Sequence, residues 1–253
     1  MESVSDLADS RTATDVLLAE LHDGHLAPAA AVRFLSQAAR RSLHQAARRP
    51  QALAELTALH GVLFALAAGR RPGRCWVTAS WALAVLHLGM LEHRDRLAAA
   101  DVLTLMRANL PALPGGSSRA SGVLAIGLDL ADGRLARHQG TTSPFGEYAD
   151  TFADTAYWTW LTLRHEPSTA VRVAAVAAWA LPVAAVTGLA VYRGSMPERP
   201  RPVLLRPASA LQAVVALRHL TCHRGVLASP RPVWAPAPVC PPRVRPSRRR
   251  HGP

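Results

Sequence analysis

Lysine is absent from this 253-residue chain, so all 29 of its basic side chains are arginine; against 17 Asp and Glu they give a formal charge of +12. The Arg and Ala bias points to a high-GC genome, and it weakens arginine abundance as a sign of function. Aromatic residues make up only 5% and are not interleaved with the arginines, and no nucleic-acid module can be traced, so the basic charge is not read as nucleic-acid binding. Cysteine is scarce too. Cys75, Cys222 and Cys240 form no CxxC pair, which excludes disulfide staples and a thiolate zinc site and leaves them as small buried apolar residues. No HExxH occurs among the 11 histidines, which are read as surface or packing residues. Long hydrophobic runs are rare: Thr169 to Tyr192 alone is convincing as a bilayer span, with Pro182 as a kink. A mean hydropathy of +0.09 is low for a chain wholly inside a bilayer, so only part of it should be embedded. The opening MESVSDLADS lacks an apolar h-region, so no secretory signal is expected there.

Acidic residues are few, yet four aspartates recur between Asp129 and Asp154 in the pattern D-x2-D-G-x2-A-R-x8-G-x3-D-x3-D. Residues three or four apart share a helix face, so Asp129, Asp132, Gly133 and Ala136 form one stripe, and Gly146, Asp150 and Asp154 a second. The intervening HQGTTSP reads as a turn. If it folds the second helix back beside the first, four carboxylates converge. Such a group repels itself unless cations neutralise it, and oxygen-only ligands favour a pair of hard ions, Mg²⁺ or Mn²⁺, over Zn²⁺. Two such ions on a pyrophosphate would stabilise the attacked phosphorus and the leaving group. The small residues Gly133 and Ala136 let a ligand approach the backbone, and Arg137 is placed to meet a phosphate.

These eight fixed residues resemble the signature of the CDP-alcohol phosphatidyltransferases, membrane enzymes that move a phosphatidyl or phosphoalcohol group from a cytidine diphosphate donor to an alcohol and release CMP. The resemblance covers roughly Ala100 to Leu220. It implies that Asp129, Asp132 and Asp150 bind two Mg²⁺ or Mn²⁺ ions, that Asp154 lies close to them as the fourth metal residue, and that Asp154 is also the general base on the acceptor hydroxyl. Gly133, Ala136 and Arg137 would hold the CDP moiety, with Gly146 allowing close helix packing or ligand approach. Thr104-Leu105-Met106-Arg107 is similar to the Thr-Leu-x-Arg stretch with which family members usually begin their first span. Arg107, Arg172 and Arg206 are candidate contacts for the acceptor or a phosphate, although snorkelling to an interface is the preferred account of Arg172 and Arg206 in so arginine-rich a chain.

The implied architecture is all-α: an integral membrane bundle of about six transmembrane helices with an N-terminal helical extension. Residues 1–96 form the extension, 97–224 the transferase domain and 225–253 a Pro/Arg-rich tail. Candidate helices are Ala52 to Gly69, Cys75 to Leu91, Leu97 to Leu113, Arg119 to Arg137, Gly146 to Leu163, Thr169 to Tyr192 and Ala208 to Leu220, with a last, Pro-rich span at Gly225 to Cys240. Ahead of them, Thr14 and Asp15 cap a short helix, and Ala29 to Arg49 reads as a basic amphipathic helix that lies on an anionic membrane surface or packs on the protein. Trp158 and Trp160 read as an aromatic belt or as packing. Loop arginines place the site on the cytoplasmic side of a bacterial cell membrane, although Arg70, Arg71 and Arg74 break the alternation. The implied partners are CDP-diacylglycerol foremost, a polar alcohol, membrane lipid and, as is common in the family, a second copy in a homodimer. Two alternatives stay open: a weakened homologue acting as partner or scaffold, and a peripheral metal-dependent nucleotide-diphosphate hydrolase.

Overall fold

The structure is a computed structural model and describes residues 7, 9–67, 69, 71–197 and 206–221. Among these residues every regular element is helical. The helices are α1 (Ser10–Asp23), α2 (Pro28–Ala47), α3 (Pro50–Leu66), α4 (Arg71–Leu86), α5 (Ala99–Asn109), α6 (Ser121–Gln139), α7 (Pro144–His165), α8 (Thr169–Arg193) and α9 (Arg206–Thr221). Short 3-10 turns at Leu88–Leu91 and Leu110–Ala112 follow α4 and α5. The expected helices therefore form within a few residues of their anticipated ends. The expected span at Gly225 to Cys240, and the tail 225–253, lie outside the described residues.

Prolines set several starts, because a residue without an N–H is tolerated in the first turn: Pro28, Pro50 and Pro144 open α2, α3 and α7. The cap of α1 differs from the expected Thr14 and Asp15. Asp9 does this work, its carboxylate accepting from the N–H groups of Arg11 at 3.0 Å and Thr12 at 3.2 Å. The helix thus starts a turn earlier, with Thr14 donating to the Ser10 carbonyl inside it.

The eleven-residue α5 is the hub, packed along both α6 and α7. Its Leu105 joins Leu56, Leu88, Leu91, Phe145 and Ala149 in one core shared with α3 and α7. A second core at the far end of α7 gathers Tyr157, Trp158 and Leu161 with Ala125, Val215 and Ala216. Tyr157 and Trp158 are therefore packing residues, buried between α6, α7 and α9. Polar ties fix α5 to α4: Trp76 Nε1 donates to the Ala108 carbonyl at 2.9 Å, and Asn109 Nδ2 donates to Ser80 Oγ at 2.9 Å. His60 reaches the same Ser80 at 3.2 Å, a packing role. No break in packing separates residues before and after 96, since α4 and the turn behind it contact α5 and α7.

Cys75 corrects one expectation, being exposed with a free thiol. The buried side of α4 is drawn by Val77, Ser80 and Ala84, and at about 100° per residue position 75 falls on the opposite side.

Apolar length is unevenly distributed. Among the described residues, α8 alone is long and apolar enough to cross a membrane, and 11% of its most apolar window is buried. With 25 residues it extends about 37 Å, more than the ~30 Å of bilayer hydrocarbon. By the same rise α5 reaches only about 17 Å. At the other end of α7, Glu166 accepts from Arg218 Nε and Nη2, both at 2.9 Å. That guanidinium holds the Glu166 carboxyl below the usual carboxylate range and ties α9 to the turn between α7 and α8.

The turn before α7 is held by Ser143, whose Oγ accepts from the Gly146 N–H at 3.1 Å and from Arg94 Nη2 at 2.6 Å. Ser143→Ala removes both bonds at once. The expected loss is about 1–2 kcal/mol, read as a lower thermal midpoint of the full chain with unchanged helical content.

Candidate metal and donor site

The signature turn forms as its residues dictate. Gly140 ends α6 in the left-handed region at φ 63°, a conformation costly for any residue with a Cβ. Ser143 then caps α7. The second helix, however, does not fold back directly against the first. The short α5 lies between them, packing on each, and it delivers two side chains into the gap.

The first is Arg107, 1% exposed and ringed by the four signature aspartates. Its Nη1 donates to Asp129 Oδ1 and, at 2.9 Å, to Asp154 Oδ1. Its Nη2 donates to Asp150 Oδ1 and lies 3.9 Å from Asp132 Oδ2. The second is Thr104, whose hydroxyl donates to Asp132 Oδ2 at 2.7 Å. Asp154 gains a further partner from α9, the Gln212 amide, which donates to Oδ2 at 2.9 Å. The convergence expected of Asp129, Asp132, Asp150 and Asp154 is thus present, and it is built around a guanidinium.

Carboxyl oxygens of Asp129, Asp132 and Asp150 lie within 4.8 Å of one another. This all-oxygen set suits a hard divalent cation. Asp154 stands outside the trio, held by Arg107 and Gln212. A single guanidinium stands against four carboxyl groups, so the cluster has room for further positive charge.

Beside the trio opens a cavity of about 390 Å³ whose walls include Gly133, Ala136, Arg137 and Gly146, together with Asp129, Asp132 and Asp150. All four residues expected to hold the donor therefore border one space. Gly133 matters for a local reason: a Cβ there would stand 3.3 Å from Arg137 Nη1, so the glycine gives the guanidinium room to lie along α6. At Gly146 a Cβ would stand 3.3 Å from Asp101 Oδ1.

Asp101 went unnoticed in the sequence. Its Oδ2 accepts from Arg94 Nη1 and from the Ala98 N–H, each at 2.8 Å, and Arg94 continues to Ser143. This chain links the start of α5 to the start of α7 and sets the cavity wall. Gln212 was also missed. Thr104 was visible only as part of a motif, not as the partner of Asp132.

The three acceptor-contact candidates fall in different places. Arg107 is enclosed by the aspartates rather than bordering the cavity. Arg172 donates from Nε to the Glu166 carbonyl at 2.5 Å in the first turn of α8, and it does not line the cavity. Arg206 opens α9, but its side chain lies outside the described residues.

Replacing Arg107 by Gln leaves Asp132 and Asp154 facing their neighbours without the shared cation. Because Asp129 and Asp150 keep nearly half of their side chains in solvent, the cost is expected at the low end for a broken buried pair, about 3 kcal/mol. It is read as a lower thermal midpoint of chelator-treated protein.

Comparison with curated proteins gives no match, and neither does comparison with solved structures. A family model does match: residues 116–230 fit that of CDP-alcohol phosphatidyltransferase. The match takes in both aspartate helices and begins just behind α5, which contributes Arg107 and Thr104. Motif, convergence of the carboxylates and family model agree: residues 116–230 are similar to the CDP-alcohol phosphatidyltransferases, a family of phosphotransferases.

Proposed function

We propose that the protein transfers a phosphatidyl group from a CDP-alcohol, CDP-diacylglycerol foremost, to a polar alcohol with release of CMP, as a step of phospholipid biosynthesis. The observation that carries this reading is the carboxylate trio Asp129, Asp132 and Asp150 on the wall of a cavity that Gly133, Ala136, Arg137 and Gly146 also border.

The donor set fits Mg²⁺ or Mn²⁺, and Asp129, Asp132 and Asp150 would hold two such ions with Asp154 beside them. When bound, the ions supply Lewis-acid neutralisation of the diphosphate. Gly133 and Ala136 leave the α6 backbone open to the cytidine diphosphate, and Arg137 offers its guanidinium to a phosphate oxygen. Asp154 takes the proton of the acceptor hydroxyl as that oxygen bonds to the phosphorus bearing the lipid. The bond from this phosphorus to the CMP oxygen breaks, and CMP leaves. Gln212 orients the base by holding its Oδ2.

α8 supplies one of the about six spans of an integral membrane bundle. Its length and composition, together with a family that is generally membrane-integral, support a membrane location; a bacterial cell membrane with the cavity towards the cytoplasm rests on the composition and the loop arginines of the sequence. Carbonate-washed membranes should keep the full chain in the pellet.

The test is CMP release from labelled CDP-diacylglycerol by the full chain with a panel of alcohols and Mg²⁺ or Mn²⁺. Wild type should give CMP and a matching lipid product. Asp154→Asn should lower the rate by at least about 100-fold while Mn²⁺ binding persists. Equal rates in wild type and Asp154→Asn would remove the base from Asp154. Release of CMP with no alcohol-dependent product would instead mark a hydrolase.

A further inference from the structure

The second helix leaves most of one apolar row uncovered by its own protein. Val32, Leu35 and Leu43 are 66%, 64% and 60% exposed, and with exposed Ala39 between them they form a single row, spaced by three, four and four residues. Elsewhere on the helix Phe34 is half-buried and Ala30, Gln45 and Ala46 are buried, Ala46 where the end of the same row runs into the core, and Arg41 Nη2 donates to the Leu7 carbonyl at 2.9 Å. Exposed Arg33 and Arg40 run along one flank of the apolar row. No acidic residue occurs from Pro28 to Ala47.

Position adds a second constraint. α2 packs on α1, and α1 holds the C-terminal end of α8. There the Met196 N–H donates to Asp15 Oδ1 at 2.6 Å, and Arg11 Nη2 donates to the Met196 and Pro197 carbonyls at 3.0 and 3.1 Å. The pair α1 and α2 thus sits at one end of the long apolar helix, the level at which a bilayer surface would lie around a crossing α8.

We propose that α2 is an interfacial helix that lays Val32, Leu35 and Leu43 into the surface of an anionic bilayer and sets Arg33 and Arg40 against lipid phosphates. An apolar row with a cationic flank is the pattern of a helix lying in the headgroup plane, and each arginine near an anionic leaflet adds attraction. A second copy is the poorer occupant. Two-fold pairing on this face would bring its arginines towards their own copies with no carboxylate on α2 to offset them. The inference goes beyond the transfer reaction and does not need it.

The test uses the full chain in lipid nanodiscs, with Cys75, Cys222 and Cys240 replaced by Ser and an environment-sensitive fluorophore at Leu35→Cys. Emission should shift to the blue in discs containing phosphatidylglycerol and shift much less in phosphatidylcholine alone. Arg33→Gln with Arg40→Gln should remove most of that difference while helical content and CMP release stay at the level of the labelled parent. A label that reports water in both lipids would overturn the proposal. So would equal shifts in both lipids that ignore the arginine changes, or a shift in detergent that grows with protein concentration, which would assign the face to a second copy. Absence of CMP release from the labelled parent itself, with the lipid response intact, would count against the transferase reading alone.

Discussion

Four aspartates cannot be gathered in a partly buried site without positive charge among them, and here the Arg107 guanidinium provides it. Its two terminal nitrogens reach carboxylates from both α6 and α7, so two helices with little contact of their own are joined through a third. This explains why so short a helix as α5 is so firmly placed. Trp76 and Ser80 of α4 hold its last turn, and Asp101 with Arg94 holds its first. Charge-assisted bonds of this kind are stronger than neutral ones, but their partners must stay paired, since a buried charge left alone is costly. The carboxylates are arranged for cations whether the cation is a side chain or a metal ion.

Much of this arrangement was legible in the sequence. Helical spacing put Asp129 and Asp132 on one face and Asp150 and Asp154 on another, and the Gly, Ser and Pro between them marked the turn. Periodicity reports the face of a helix, not the identity of the helix opposite. The helix at α5 was expected, but its place between α6 and α7 was not, and with it the pairing of Arg107 to all four carboxylates. Gln212 and Asp101 were invisible for a related reason: each acts on the site through a contact distant in sequence or through a network of local caps. Cys75 shows the same limit in a milder form, because composition alone does not say which side of α4 is buried.

The apolar surface of the molecule is as informative as its core. Val173, Leu181 and Val183 of α8 lie half or more exposed, as do Val32, Leu35 and Leu43 of α2. Water is a poor partner for such rows. A lipid environment would account for both rows and would suit the proposed donor, and the low mean hydropathy is consistent with a chain only part of which meets a bilayer.

The central claim is that Asp129, Asp132 and Asp150 form a divalent-cation site in which a guanidinium is only one of the charges the cluster accepts. Electron paramagnetic resonance of Mn²⁺ titrated into the full chain tests it most directly. Wild type should remove Mn²⁺ from solution, and the double variant Asp129→Asn, Asp150→Asn should leave it free at the same protein concentration. If the two proteins bind Mn²⁺ equally, or if folded wild type binds none, the account is contradicted.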